Sequence, residues 1–260
     1  MSIVREGLIL TRRDLAHWVR QPWTPIFGLL FTIMLLLMFA FIFGGSIRLP
    51  GGGDYIGFLL PGMMTLAMMF GLETTMTSMA ADAKKGITNR FRSMPISDAS
   101  VSLGRVGADM VSSMVEIAIL IIGGLLLGWR ATNSPLAGLL AVALLLWLRF
   151  AVLWVGIFLG LTAGRHDGAT VLVQVLVWPV GFLSNVFVAP EFMPDWLGAV
   201  AAWNPISATA TAVRDLFGNP SGITGGWLAD YGIVAAIAWP LAITAVFMPL
   251  SARAYRRLRK

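Results

Sequence analysis

The chain has 260 residues, 57% of them hydrophobic and only 12% charged, against about 25% charged in ordinary soluble domains. That balance excludes a soluble globular domain and makes the chain a polytopic membrane protein, read as one transmembrane domain over 1–260. There is no cysteine, hence no disulfide framework or thiolate metal site; the net charge of +6 comes from basic residues beside apolar segments, not from a basic face built for nucleic acid.

The first element is an amphipathic stretch over about 3–20. Val4, Leu8, Leu15, Trp18 and Val19 share a face at helical spacing, and Arg5, Arg12, Arg13 and Arg20 cover the rest. It reads as a helix lying on the membrane surface with its basic groups toward anionic lipid. The apolar run that follows lacks a nearby small-residue cleavage site, so the first span is expected to be retained.

Six segments have the length and apolarity of membrane helices: about 24–45, 55–79, 101–128, 135–164, 168–188 and 227–251. Basic residues orient them. Fifteen fall on the side of the termini and three, Arg48, Arg130 and Arg214, on the other, with Arg149 inside a span. Both termini are therefore expected on the cytoplasmic side.

Between the second and third spans lies a polar island at 81–97, ADAKKGITNRFRSMPIS, with Lys84, Lys85, Arg90 and Arg92 against the single acid Asp82. Ile87 and Phe91 lie four apart, and Met94-Pro95 stops the helix. The pattern predicts a short amphipathic cytoplasmic helix, a handle for a partner protein. A second unusual region spans 189–219. It holds two apolar pieces, 192–203 and 206–217, joined by Asn204-Pro205, each too short to cross a bilayer. Pro190 and Pro194 mark the entry, and Trp196 and Trp203 suit a membrane interface. The expectation is a re-entrant hairpin dipping into the outer leaflet.

Chemistry is sparse. The glycine run 51–53 lacks the Lys-Ser/Thr ending of a phosphate loop, His17 and His166 form no zinc signature, and no nucleophile elbow occurs. No catalytic residue, metal site or cofactor is predicted, so the chain is not expected to be an ATPase or another enzyme by itself. Charged residues inside spans raise a functional question first. Glu116 and Arg149 fall at similar depth on consecutive spans and are expected to pair, structurally or in a substrate path. Glu73 shows no obvious partner, and Asp109 is placed near enough to the cytoplasmic end to be hydrated. Gly156, Gly160 and Gly164 form a small-residue ridge for close helix packing.

Three stretches carry a family resemblance: FLLPGMMTLAMMFG at 58–71, KKGITNRFRSMPIS at 84–97 followed by GRVGADMV, and FLSNVFVAPEFMPDWLGAVAAWNPISATATAVRDL at 182–216. With them the chain resembles type-2 ABC exporter permeases of the daunorubicin-resistance and nodulation-export kind. The resemblance implies an all-α membrane fold: a surface helix, six spans, a coupling helix at 81–97 and a re-entrant outer hairpin at 189–219. It implies two permeases, of one kind or of two paralogues, working with two separately encoded ATPase subunits that bind ATP and Mg in the cytoplasmic membrane of a prokaryote. Lys84, Lys85, Arg90, Phe91, Arg92, Met94 and Pro95 would then contact the ATPase, while Pro190, Pro194, Trp196, Asn204 and Pro205 shape the hairpin. Apolar faces of the second and fifth spans would line the permease dimer. A path with few charges points to a hydrophobic or amphiphilic cargo: drug, polyketide or lipid. The alternatives are a polysaccharide-export permease, and a secondary transporter driven by an ion gradient through Glu73 and Glu116.

Overall fold

The computed structural model describes residues 11–12, 23–44, 54–84, 98–163, 167–219, 223 and 225–257. Its long elements are α1 (Trp23–Phe43), α2 (Tyr55–Lys84), α3 (Asp98–Leu126), α4 (Pro135–Ala163), α5 (Asp167–Phe182) and α8 (Trp227–Arg257). Between α5 and α8 come a 3-10 turn (Pro190–Phe192) and two short helices, α6 (Asp195–Trp203) and α7 (Pro205–Phe217). Among the described residues every regular element is helical, the solution a bilayer imposes on a chain that must satisfy its own backbone.

Four helices are long and apolar enough to cross a membrane, over Tyr55–Asp82, Gly104–Leu126, Pro135–Thr162 and Trp227–Tyr255. α1, with 21 residues, and α5, with 16, occupy the other two predicted spans without meeting that measure among the described residues. Of the surface stretch 3–20 only residues 11–12 are described; they are helical, and the Thr11 hydroxyl donates to the Gly104 carbonyl at 3.0 Å. The island enters the described structure through 81–84, the last turn of α2; Lys85, Arg90, Phe91, Arg92, Met94 and Pro95 lie outside it.

α2 is the axis of the bundle. Its most apolar window is 89% buried, against 22% for α3 and for α8. Such a helix reads as apolar on all sides because other helices surround it. α4 comes closest: a Cβ at Gly156 would stand 2.8 Å from the Leu72 carbonyl, and one at Gly160 2.7 Å from that of Met76. The predicted ridge thus lets two backbones touch, and only Gly164 falls outside the described residues. Burial of α2 leaves it no broad free face. Apolar side chains stand outward on α1 (Leu30, Met34, Phe41) and α5 (Val171, Val175, Val180), and also on α3 (Met114, Ile122) and α8 (Val234, Leu241).

The fifth predicted span is shorter than its apolar run. Helix α5 stops at Phe182, and 183–188 continues without helical structure although Ser184, Asn185, Val186 and Phe187 are buried. Hydropathy continues through this stretch, so composition alone extends the helix. The local chemistry ends it: the Ser184 hydroxyl bonds back to the Gly181 carbonyl and receives the Val186 N–H at 3.4 Å, the competition by which serine disfavours helix interiors.

The region after it divides unequally. α6 is peripheral, with Trp196 69% and Trp203 65% exposed. α7 is the opposite: Ile206 through Arg214 are all buried, against α2, α4 and α8. Its far end is held by the α3–α4 loop. The Thr132 N–H donates to the Phe217 carbonyl at 2.8 Å, and the Trp129 indole donates to the Asn219 side chain at 2.8 Å. Gly218 closes α7 in the left-handed conformation (φ 72°), and a Cβ there would also collide with Thr132.

Candidate functional site

The bundle has an island end, where α2 finishes at Lys84, and a hairpin end, where α2 begins at Tyr55 beside α7. At the island end Asp82 and Arg105 meet at 4.0 Å across the two legs leading to and from the island. Both are partly exposed, so this contact fixes geometry more than it adds stability.

Between the two ends, α2 carries two buried guanidinium groups, each seated on a glycine. The lower is Arg149 of α4. It takes a two-pronged ion pair with Asp109 of α3, Nε to Oδ2 and Nη2 to Oδ1, both 2.6 Å, while Nη1 donates to the Met68 carbonyl of α2 at 3.3 Å. A Cβ at Gly71 would occupy the guanidinium itself, so only glycine allows the arginine to lie there. The expected Glu116–Arg149 pair is therefore replaced by Asp109–Arg149, and Asp109 is packed in the bundle rather than hydrated. Asp109 and Glu116 lie on one face of α3 but two turns apart, so matching depth picked Glu116 while the arginine turns toward the acid nearer the island end. The seat at Gly71 sends the guanidinium to Asp109. Glu116 remains half-buried, and Glu73, half-buried on α2, is not without a partner as the sequence suggested.

The upper group is Arg214 of α7, with no exposed surface. Nε donates to the Phe58 carbonyl of α2 at 2.8 Å, and Nη2 donates to the Asn185 and Val186 carbonyls at 3.0 and 3.1 Å. The guanidinium carbon lies 3.7 Å from the centre of the Phe58 ring, a cation–π contact in a water-poor setting. Gly62 is the seat here: a Cβ would come 2.7 Å from Nη2 and 2.8 Å from the Val186 carbonyl.

Around Arg214 the irregular stretch 183–188 is tied down at nearly every residue. Asn204 donates to the Val180 and Leu183 carbonyls, both at 2.8 Å, while its side-chain oxygen caps α7 by accepting from the Ile206 N–H at 2.9 Å. The Asn185 N–H donates to Ser207 at 2.9 Å and its amide to Thr211 at 2.8 Å. The Tyr55 hydroxyl donates to the Phe187 carbonyl at 3.1 Å, and the Phe187 ring stacks on Phe39 of α1 with centroids 4.4 Å apart. Buried backbone outside a helix needs such partners, because lipid supplies none.

The hairpin residues named from sequence fall into two groups. Pro190 opens the 3-10 turn, Pro194 caps α6, and Pro205 takes the first helical position of α7, where its missing N–H costs nothing. Asn204 binds the hairpin to α5, whereas Trp196 stands outward and Trp203 packs on Trp227 at 4.8 Å. The sequence reading misplaced Arg214 and Asp109 and passed over Asn185, Tyr55, Gly62 and Gly71. The available signal was Arg214 itself, a cation inside an apolar piece that was counted as an outer topogenic charge. Among the described residues no cluster of His, Cys, Asp and Glu could hold a metal ion. The arrangement offers mechanical linkage: two charged joints along one continuous helix, with Pro61 inside it next to the Gly62 seat.

The ABC-2 type transporter family profile matches residues 5–217. The chain is 34% identical over 227 residues to the daunorubicin resistance ABC transporter permease protein DrrB1 of Streptomyces coeruleorubidus, covering 87% of this chain and 77% of that protein. It is 23% identical over 246 residues to the probable doxorubicin resistance ABC transporter permease protein DrrC of Mycobacterium tuberculosis, covering 92% and 88%. It is 24% identical over 222 residues to the putative transport permease ycf38 of Cyanophora paradoxa, covering 84% and 76%.

Proposed function

Since the chain belongs to the ABC-2 type transporter family, we propose that it is the permease subunit of an ATP-driven exporter, powered by a separately encoded ATPase and carrying a hydrophobic or amphiphilic cargo outward. Six helices span the membrane in this reading, α1 and α5 included, with both termini and the island 81–97 in the cytoplasm and the hairpin in the outer leaflet. Two permeases associate through the apolar faces that α1 and α5 leave exposed, and two ATPase subunits dock on the islands through Lys84, Lys85, Arg90, Phe91, Arg92, Met94 and Pro95.

One observation carries the mechanism. α2 is a single 30-residue helix, about 45 Å long, that leads from Tyr55 beside the hairpin into the island at Lys84. ATP-driven closure of the partner dimer moves the island, and α2 moves with it. Arg149 passes the displacement to α3 and α4, and Arg214 passes it to α7 and to 183–188. The permease thereby shifts between two arrangements whose balance the ATPase sets. The relatives' names, daunorubicin and doxorubicin resistance, make an amphiphilic aromatic drug the first cargo to try.

The test is uptake of doxorubicin into inside-out vesicles containing the permease and its ATPase. Uptake that needs ATP and survives collapse of the proton gradient is the expected result. Uptake driven by the gradient alone would sink the exporter reading in favour of a secondary transporter. Stimulation of ATP hydrolysis by a lipid or another amphiphile, but not by doxorubicin, would move the cargo class and keep the exporter.

A further inference from the structure

We infer that Arg214 is the positioning residue of the outer gate: it holds the non-helical stretch 183–188 closed against α2, and each export cycle releases and remakes that hold. The inference rests on the permease reading above and names the element through which the push reaches the outer face.

Three observations carry it. First, 183–188 is buried backbone without helical structure, in a chain where irregular backbone at membrane depth is tolerated only inside protein or along a cavity. Apart from the Ser184 bond back to Gly181 and the Phe187 ring on Phe39, its side-chain ties run to α7 and to the start of α2, so it follows those two helices rather than extending α5. Second, the two guanidinium groups differ in kind. Arg149 is locked by a two-pronged carboxylate, whereas all of Arg214's described hydrogen bonds go to carbonyl oxygens. Both sets of bonds have an ionised donor, but the carbonyls facing Arg214 lack the full negative charge that Asp109 sets against Arg149, so Arg214 is the joint that opens and Arg149 the one that stays. Third, Arg214 keeps a spare donor: Nη1 has no partner, and neither has the Asn185 side-chain oxygen. An unused donor and acceptor on the two sides of the joint permit re-pairing when α2 carries Phe58 and Gly62 past the guanidinium.

The absence of native cysteine makes the test direct. Val186→Cys places a thiol at a fully buried position of 183–188, and Ala141→Cys places one at a buried position of α4 as a control for general loosening. The permease is co-produced with its ATPase, and cells or right-side-out vesicles are treated with a membrane-impermeant maleimide, with and without ATP turnover. With Arg214 intact, the thiol at 186 should react slowly at rest and quickly during turnover. With Arg214→Gln it should react at rest at least about ten-fold faster than with Arg214 intact, an opening free energy lowered by about 1.4 kcal/mol. Arg214→Lys, which keeps the charge but reaches fewer carbonyls, should lie between. Partner ATP hydrolysis should persist in Arg214→Gln while export per ATP falls. The thiol at 141 should stay protected throughout.

Unchanged labelling at 186 in Arg214→Gln overturns the gate. So does equal exposure of 141, because Arg214 would then be structural only. If ATP turnover fails to alter labelling at 186 with Arg214 intact, although the ATPase is recovered with the permease, the transmission reading falls and the gate with it.

Discussion

A guanidinium among apolar helices has few ways to be satisfied, and Arg149 and Arg214 take different ones. Arg149 finds a carboxylate; Arg214 finds carbonyls freed where helix gives way to irregular chain. Arg149→Met should destabilise the bundle by about 3–5 kcal/mol, because Asp109 is left buried without its partner. Adding Asp109→Leu should restore much of the loss, whereas Glu116→Gln alone should change little. Thermal unfolding of the purified permease, run as a double-mutant cycle, measures this; strictly additive losses would refute the Asp109 pairing. Gly71→Ala should cost about 1–3 kcal/mol by overpacking, since its methyl falls on the Arg149 guanidinium. Sequence could propose that a charge in a span needs a partner, and it named Arg149. It chose Glu116 over Asp109 by depth and missed the pairing, because the seat that decides is a missing side chain on a third helix.

At the scale of elements, Asn204 turns the hairpin from an appendage into part of the bundle. Asn204→Ala removes a helix cap and the donors to Val180 and Leu183. A loss of about 2–4 kcal/mol follows from a cap plus buried carbonyls left unpaired, read as a lower unfolding temperature. The island makes a separate prediction, motivated by its apolar Phe91 among basic residues. Arg92→Glu, and to a lesser degree Phe91→Ala, should leave insertion intact but reduce both recovery of the ATPase and ATP-dependent uptake. Normal recovery and normal uptake in Arg92→Glu would remove the island from the mechanism. The break into two short helices was legible because Pro190, Pro194 and Asn204-Pro205 punctuate an apolar stretch. The end of α5 was not, because apolarity runs on past Phe182 while Ser184 and Asn185 redirect the backbone through contacts with α7, which no local pattern shows.

For the whole molecule, the strongest sequence signal is the charge asymmetry about the apolar segments. A cysteine at Ser134 should be labelled by an impermeant reagent from outside, and one at Ser97 should not. Labelling at Ser97 in intact cells would invert the orientation and place the hairpin in the cytoplasm. The long helices were legible because lipid-facing and buried helices alike demand long apolar runs. Their order of burial was not: α2 and α8 have comparable mean hydropathy, 1.7 and 2.1, yet one is the axis and the other a wall. Hydropathy cannot tell lipid from protein as a neighbour.

The burial of α7 also bears on how the chain is made. A helix of 13 residues containing Ser207, Thr209, Thr211 and Arg214 is too short and too polar to reside in lipid by itself. It is sheltered by α2 and α4, synthesised before it, and by α8, synthesised after it. Membrane insertion and folding must therefore separate in time: the long helices enter first, and the hairpin waits at the surface until the last span closes the wall around it. A chain truncated after Asn219 should leave a cysteine at Thr209 open to external label, while the same cysteine in the full chain is protected. The interval between those two states is when a newly made permease is most exposed to quality-control proteases, and substitutions in α8 that delay closure should lower its abundance before they touch transport.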